Sequence, residues 1–136
     1  MQVVIDANIL ISLLISPGKP IDLFLREELE VFAPELLMIE VERNMPIIMG
    51  KTKHSATEIE KIFLIIKKKT TIIPGEEFLH QREEAIRVCP DHKDVTYFAL
   101  AMHLKCAVWS NEKQLKNQER IPVYATHELI RIFEDL

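Results

Sequence analysis

The sequence predicts an α/β fold in which helices cover both faces of a central, mainly parallel sheet. Short runs rich in β-branched residues, typical of buried strands, alternate with longer segments whose apolar residues recur at helical spacing. The chain has 136 residues, of which 48% are hydrophobic, and this suits one sizeable core. We therefore expect a single domain over residues 1–136, with the carboxyl ends of its parallel strands at one edge of the sheet.

Five short segments are predicted to form the strands. They are residues 2–5, 30–33, 70–73, 107–109 and 122–124. Trp109 lies inside the fourth segment, so we expect it in the core. Pro74 and Gly75 directly follow the third segment and end it, because both residues interrupt regular structure.

Helices are predicted between the strands from apolar spacing and from capping residues. They cover residues 8–15, a segment from Pro20, residues 34–44, a segment from Ser55, residues 76–88, residues 91–105 and a closing segment from Thr126. Ser55 and Glu58 have the spacing of a capping box, and Thr126 is expected to cap the last helix. The pattern of residues 45–50 favours neither a helix nor a loop.

Charge and composition narrow the function classes. The formal net charge of −4 argues against a partner held by overall charge attraction, because nucleic-acid binders of that kind are usually basic. Local basic patches remain compatible with it. The apolar run at residues 9–15 is too short to span a bilayer, so we expect no membrane association. Cys89 and Cys106 are expected to be reduced thiols in a cytoplasmic protein.

Acidic residues from four separate segments fall near strand ends or helix starts. Asp6 follows the first strand, and Glu40 lies in an otherwise apolar stretch of the helix after the second strand. Asp91 and Asp94 open a later helix, three residues apart and hence on neighbouring positions of one face. Glu112 follows the fourth strand. Because the strand ends share one edge, these acids are expected to lie near one another.

Each acid also has a structural interpretation. Asp91 fits a helix N-cap, and Asp94 fits a first-turn acid that the helix dipole favours. Glu40 fits an exposed helix face, and Glu112 fits a turn. If the carboxylates converge, they repel, and each raises the pKa of the others. Mg²⁺ or Mn²⁺ relieves this repulsion with oxygen ligands, and such a site suits metal-dependent phosphodiester hydrolysis.

The segments that hold these acids resemble, in order, the four motifs of the PIN-domain ribonuclease family. The opening VVIDANIL is similar to the first motif, with Asp6 as the first catalytic acid and Asn8 as the polar residue that supports it. The stretch APELLMIEVE resembles the second motif, and Glu40 takes its acidic position. The resemblance runs along the whole chain.

The third and fourth motifs follow later in the chain. PDHKDVTYFALA resembles the third motif, with Asp94 as the principal acid and Asp91 as an additional one. VWSNEKQL is similar to the fourth motif but departs from it, since the family typically has Asp where this chain has Glu112 and often a second acid where it has Gln114. The departures bear on activity and on the number of metal ions more than on the fold.

The resemblance implies a three-layer α/β/α sandwich, Mg²⁺ or Mn²⁺ as the cofactor and RNA as the substrate. Many small members are VapC-type toxins of toxin–antitoxin pairs, so it also implies a small antitoxin protein as partner and a homodimer. In the implied mechanism, a metal-activated water attacks the phosphorus in line.

The same resemblance implies a role for each matched residue. One metal ion is held by Asp6, Glu40 and Asp94. Glu112 and Asp91 hold a second ion or position the attacking water. The carboxylates are oriented by Asn8 and Ser110.

Basic residues close in sequence to the acids are the candidates for phosphate contact. They are Lys93, Lys113, Lys116 and Arg120. The lysine run at residues 67–69 ends a helix, where cations suit the dipole, and this structural interpretation outweighs an RNA role. His92, between the acids of the third motif, fits an exposed loop histidine better than a phosphate contact.

Two other functions compete with catalysis. The first is a catalytically weakened PIN-like module that binds RNA or protein, which the Glu112 and Gln114 departures favour modestly. The second is a phosphoacceptor receiver domain, which requires several acids directly after the first strand. Only Asp6 lies there, so the receiver interpretation ranks lowest.

Overall fold

One parallel sheet forms the centre of the protein. The computed structural model describes residues 1–135, and within them five strands pair in parallel. The strands are β1 (Gln2–Ile5), β2 (Glu30–Pro34), β3 (Thr71–Ile73), β4 (Ala107–Trp109) and β5 (Val123–Tyr124). They lie in the order β3-β2-β1-β4-β5. Val3 of β1 is in register with Val31 on one side and with Ala107 on the other.

Helices and 3₁₀ turns connect the strands. The α-helices of residues 1–135 are α1 (Ala7–Ile15), α2 (Gly18–Phe24), α3 (Glu35–Arg43), α4 (Met45–Gly50), α5 (Ala56–Lys69), α6 (Arg82–Val88), α7 (Val95–Leu104) and α8 (Thr126–Glu134). The 3₁₀ turns of the same range are Gly75–Glu77, Leu79–Gln81, His92–Asp94 and Lys113–Lys116. None of the described helices is long and apolar enough to cross a membrane.

The two faces of the sheet carry separate cores, which confirms the predicted three-layer α/β/α sandwich. Val3 and Ile5 of β1 pack in the core beneath α1, α3, α5 and α8, whereas Val4 faces the core beneath α6 and α7. This alternation follows from the two-residue period of a strand. Trp109 of β4 is fully buried in the first core, as the sequence predicts.

The start of α5 confirms the predicted capping box. The Ser55 hydroxyl accepts a hydrogen bond from the Glu58 backbone N–H at 3.2 Å, and the Ser55 backbone N–H donates to the Glu58 carboxylate at 3.4 Å. At the other end of the helix, Lys67 donates to Glu42 of α3 at 3.1 Å. This contact supports the structural interpretation of the lysine run.

Two predicted helices are wrong in their first turns. Residues 76–88 form two 3₁₀ turns before α6, because Phe78 adopts a non-helical backbone (φ −124°, ψ 12°) and buries its ring in the second core. Residues 91–105 become α-helical only at Val95, because Asp94 also has a non-helical backbone (φ −102°, ψ 6°). In both segments the chain turns tightly before the helix begins.

The predicted cap of the last helix is also wrong. Thr126 is the first residue of α8, and its cap is Ala125, whose backbone N–H donates to the Glu128 carboxylate at 2.9 Å. The Thr126 hydroxyl instead accepts a hydrogen bond from the Trp109 indole N–H at 3.0 Å. A buried tryptophan needs such a partner for its N–H, so Thr126 connects α8 to β4.

The strand order reverses between β1 and β4. The chain builds the sheet from β1 through β2 to β3 on one side and then returns to β4 and β5 on the other. Ile5 pairs with Trp109 at this position, and the Asp6 backbone N–H donates to the Trp109 carbonyl at 3.2 Å. In open parallel sheets, ligands bind beyond the carboxyl ends of the strands at such a reversal.

We expect Leu13→Ala to destabilise the protein by about 2–5 kcal/mol, because this side chain of α1 is fully buried in the first core and its removal leaves a cavity. Urea unfolding monitored by circular dichroism measures this change. Leu64→Ala on α5 is the matched control, since Leu64 is 55% exposed and should change the free energy of unfolding by less than about 0.5 kcal/mol. Equal effects of the two substitutions would contradict the assignment of the core.

Candidate active site

Asp6 is the buried acid at the reversal of the strand order. Its side chain is 2% exposed, and its Oδ1 accepts a hydrogen bond from the Ile9 backbone N–H at 2.9 Å, which caps α1. Burial raises the pKa of Asp6 above its ordinary value, and the charge of Glu112 raises it further, whereas hydrogen bonds from Ser110 and Ile9 lower it. The chain thus fixes one carboxylate at the end of β1 and leaves its charge incompletely neutralised.

Asp94 is the second acid in a crowded environment. It is half-buried at the start of α7. Burial and the negative charges of Asp6, Asp91 and Glu112 raise the pKa of Asp94 to about 6, and only Lys93 opposes them. The structure therefore brings the acids of the first, third and fourth motifs within electrostatic reach of one another.

Glu112 is exposed and is held by an amide. Its carboxylate accepts a hydrogen bond from the Asn8 side-chain amide at 3.2 Å, although 104 positions separate the two residues in the sequence. The Glu112 backbone N–H donates to the Ser110 hydroxyl at 3.1 Å, and Ser110 in turn bonds Asp6. Asn8 and Ser110, the two residues expected to orient carboxylates, thus each contact a carboxylate. The Asn8 amide, however, contacts Glu112 rather than Asp6.

Asp91 has hydrogen-bond partners on both carboxylate oxygens. Its Oδ1 accepts from the Lys93 backbone N–H at 3.0 Å, which caps the 3₁₀ turn His92–Asp94. Its Oδ2 accepts from the Gln114 side-chain amide at 2.6 Å. The first contact agrees with the N-cap interpretation of Asp91, and the second was not expected from the sequence.

Glu40 lies at the margin of this group. It is exposed on α3 and lines a small cavity of about 80 Å³ together with Lys93, Thr96 and Tyr97. Its negative charge contributes to a raised pKa of Tyr97. The charges of Glu40, Asp6 and Asp94 therefore all act on the same tyrosine.

Tyr97 is the residue that sequence reasoning missed. It is half-buried on α7, and burial, followed by the charges of Asp6, Asp94 and Glu40, raises the pKa of its hydroxyl. Its position three residues after Asp94 places the two side chains on one helix face, and this spacing was the available indication. The hydroxyl of Tyr97 is therefore within electrostatic reach of acids from three different segments.

The carboxylates provide suitable donors for a divalent cation, but they do not yet converge. Carboxylate oxygens suit Mg²⁺ and Mn²⁺. Burial, together with the charges of neighbouring acids, raises the pKa of Asp94, and a bound cation would favour its charged form. Within residues 1–135, however, no three His, Cys, Asp or Glu side chains are arranged to hold one ion. Binding an ion to three of these carboxylates therefore requires their side chains to move closer together.

The candidate phosphate-binding cations occupy different positions. Lys93 lies beside Glu40 and lowers the pKa of Asp94. Lys113 is exposed on the 3₁₀ turn that follows Glu112. Lys116 bonds Glu128, and Arg120 donates to Glu84 at 2.9 Å. Arg120 also lines a groove with Met1 and Gln2, at the start of β1 and away from Asp6. Of these candidates, Lys93 is therefore the one with an electrostatic effect on an acid of the site. His92 is exposed, as expected.

Comparison with known proteins identifies the family. The sequence profile of the PIN domain matches residues 4–123. The chain belongs to the PIN-domain family. The fold agrees with this family. The protein is similar to a solved structure of VapBC2 from Rickettsia felis bound to a DNA fragment from the VapBC2 promoter. The TM-score is 0.66 and the sequence identity is 12%, over 92% of this chain and 98% of that chain. At this identity the likeness shows the fold alone. No curated protein matches the sequence.

We expect Asp94→Asn to stabilise the metal-free PIN domain at about pH 8. Because the pKa of Asp94 is raised to about 6, the folded state binds its proton more tightly than the unfolded state. The free energy of unfolding therefore falls as the pH rises from about 4 to about 6, and the charged form stays destabilising above that. The substitution should recover about 1–2 kcal/mol after solvent screening, measured by urea unfolding in chelator.

The difference should vanish at about pH 4, where the carboxyl group is protonated in the wild-type fold. Asp22→Asn on α2 is the matched control, because Asp22 is exposed and contacts none of the acids described above. Its effect should stay below about 0.5 kcal/mol. A loss of stability on Asp94→Asn at about pH 8 would contradict the crowding of charge.

Proposed function

We propose that this PIN-domain protein is a metal-dependent ribonuclease that hydrolyses RNA phosphodiester bonds. The observation that carries the proposal is the crowding of Asp6, Asp94 and Glu112 at the reversal of strand order, where the charge of Glu112 adds to the raised pKa of Asp6 and the charges of Asp6 and Glu112 add to that of Asp94. Such crowding costs stability and is typical of sites with a chemical role. Membership of the PIN-domain family supports the same conclusion.

The proposed ligands of one Mg²⁺ or Mn²⁺ ion are Asp6, Glu40 and Asp94. Glu112 completes the site, either as a ligand of a second ion or as the group that positions the attacking water. When bound, the cation supplies charge neutralisation at the phosphoryl group and activation of the attacking water. The rest of the mechanism is positioning by the chain itself.

Positioning rests on hydrogen bonds to the carboxylates. Ser110 and the Ile9 backbone N–H hold Asp6, and the Asn8 amide holds Glu112. Lys93 is near enough to the acids to attract a phosphate into a negatively charged site, which the net charge of the protein would otherwise repel. RNA thus meets oriented carboxylates and one local cation.

The proposal extends to partners and location. We propose that the protein is the toxin of a toxin–antitoxin pair, which a small antitoxin protein inhibits, and that it works as a homodimer in the cytoplasm. The likeness to VapBC2 supports a protein partner. Exposed apolar side chains on α4 and α5, including Ile47 and Leu64, offer surface for such contacts. The free thiols Cys89 and Cys106 suit a reducing compartment.

We expect the purified protein to cleave RNA only when Mg²⁺ or Mn²⁺ is added. Asp6→Asn and Asp94→Asn should each lower the cleavage rate at least about 100-fold, because a bound cation supplies several kcal/mol of transition-state stabilisation. Cleavage of a fluorescent RNA followed with time measures the rate. The matched control is Glu60→Gln on the exposed face of α5, which should retain wild-type activity. Cleavage that survives both Asp substitutions would refute the proposal.

A second function is favoured by two observations. The carboxylates of Glu112 and Asp91 are occupied by amides, and no three-ligand arrangement exists within residues 1–135. A catalytically weakened module that binds RNA or protein accounts for both. RNA binding that is equally strong in chelator and in Mn²⁺, without cleavage, would establish this alternative in place of the nuclease.

A further inference from the structure

The contacts of Asp91 set it apart from the other acids. Both of its oxygens are bound, one by the Lys93 backbone N–H at 3.0 Å and the other by the Gln114 amide at 2.6 Å. Asp94, three residues later, has no side-chain hydrogen bond among residues 1–135. We propose that Asp91 and Gln114 form a positioning pair that fixes the loop of residues 110–116 to the start of α7, and that Asp91 is not a metal ligand.

The loop 110–116 carries two other contacts with the acids. Ser110 bonds Asp6, and Glu112 accepts from Asn8 at 3.2 Å. Gln114 is its third point of attachment, and the only one of the three that reaches the segment containing Asp94. Other contacts also hold the loop, since Lys116 bonds Glu128, the Thr126 backbone N–H donates to the Asn111 side-chain oxygen at 2.9 Å, and Leu115 is buried in the second core. The pair is the side-chain hydrogen bond that ties the loop of Glu112 to the segment of Asp94, and in this proposal it restricts where Glu112 lies relative to Asp94.

The chemistry of the pair explains why a neutral amide suits position 114. An amide N–H donates to a carboxylate, and such charge-assisted bonds are stronger than neutral ones. A second carboxylate at this position would repel Asp91 and raise its pKa. The amide of Gln114 instead donates a hydrogen bond to one oxygen of Asp91, and this bond holds the loop. A cation that approached Asp91 would therefore compete with hydrogen bonds on both of its oxygens.

This inference rests on the proposed metal-dependent function. Two substitutions separate the charge of Asp91 from its hydrogen bond with Gln114. Asp91→Asn removes the charge but keeps the pair, because Asn still caps the 3₁₀ turn and the Gln114 amide can turn to present its oxygen to the new N–H group. Gln114→Leu does the opposite, since it removes the pair and leaves the charge of Asp91 intact.

The test is the dissociation constant of Mn²⁺, measured by calorimetry and by electron paramagnetic resonance. We expect Gln114→Leu to weaken Mn²⁺ binding about 10-fold, within the range seen when partners of metal ligands are removed, and Asp91→Asn to weaken it less than about 3-fold. The double substitution Asp91→Asn with Gln114→Glu reverses the direction of the hydrogen bond and keeps the net charge, so it should restore wild-type affinity within about 3-fold.

Three results overturn the inference. The first is a larger loss for Asp91→Asn than for Gln114→Leu, which would make Asp91 a ligand. The second is wild-type affinity in Gln114→Leu, and the third is failure of the reversed pair to restore binding. If the wild-type protein binds no Mn²⁺ at all, the proposed function fails together with the inference. Thermal unfolding in chelator checks that every variant is folded, and Gln81→Leu is the matched glutamine control on the 3₁₀ turn Leu79–Gln81.

Discussion

The parallel pairing of β1 with β4 is the constraint on which the candidate site depends. It is the position where the strand order reverses, so the chain leaves the sheet in opposite directions after Ile5 and after Trp109. A crevice remains between the two departing segments. Asp6 and Ser110 are the first residues beyond the two strands, and the bond from the Asp6 backbone to the Trp109 carbonyl fixes their separation. The contact of Glu112 with Ser110 therefore begins at the position that this pairing fixes.

The same pairing makes the site costly. Asp6 is buried and its pKa is raised. Burial and the charges of neighbouring acids raise the pKa of Asp94 to about 6. A domain of this size has only a modest net stability, so a repulsion of this kind is a considerable fraction of it. The two cores on either side of the sheet offset this cost through buried apolar side chains. Leu10 is fully buried in the first core and Phe98 in the second. Stability is therefore supplied away from the strand ends, and charge is tolerated at them.

Much of this organisation was predictable from the sequence because it depends on local pattern. Strand and helix periodicity predicted the parallel sheet and its two covered faces, and the position of Asp6 after a β-branched run predicted an acid at the edge of that sheet. The tight turns around Phe78 and Asp94 were not predictable, since each depends on what the rest of the fold buries. Local propensity cannot report a tertiary demand of that kind.

The contacts between distant side chains were also beyond the sequence. The partner of Asn8 lies 104 positions away, and Gln114 reaches back 23 positions to Asp91. Neither spacing is periodic, so neither pair has a signature in the order of residues. Tyr97 differs from these pairs. Its helical spacing from Asp94 was visible in the sequence, whereas its burial and the action of three acids on its pKa were not. Pattern thus locates the acids, and only the folded chain shows which of them are already engaged.

That distinction divides the acids by chemistry rather than by motif. Asp6 and Asp94 are partly or fully removed from water, and their charge is what a cation would neutralise. Glu112 and Asp91 each already accept a hydrogen bond from a side-chain amide, so an ion gains less by approaching them. The carboxylate of Glu112 accepts a hydrogen bond from Asn8 on α1. The residue that departs from the family pattern therefore acquires a neighbour that can hold it in place.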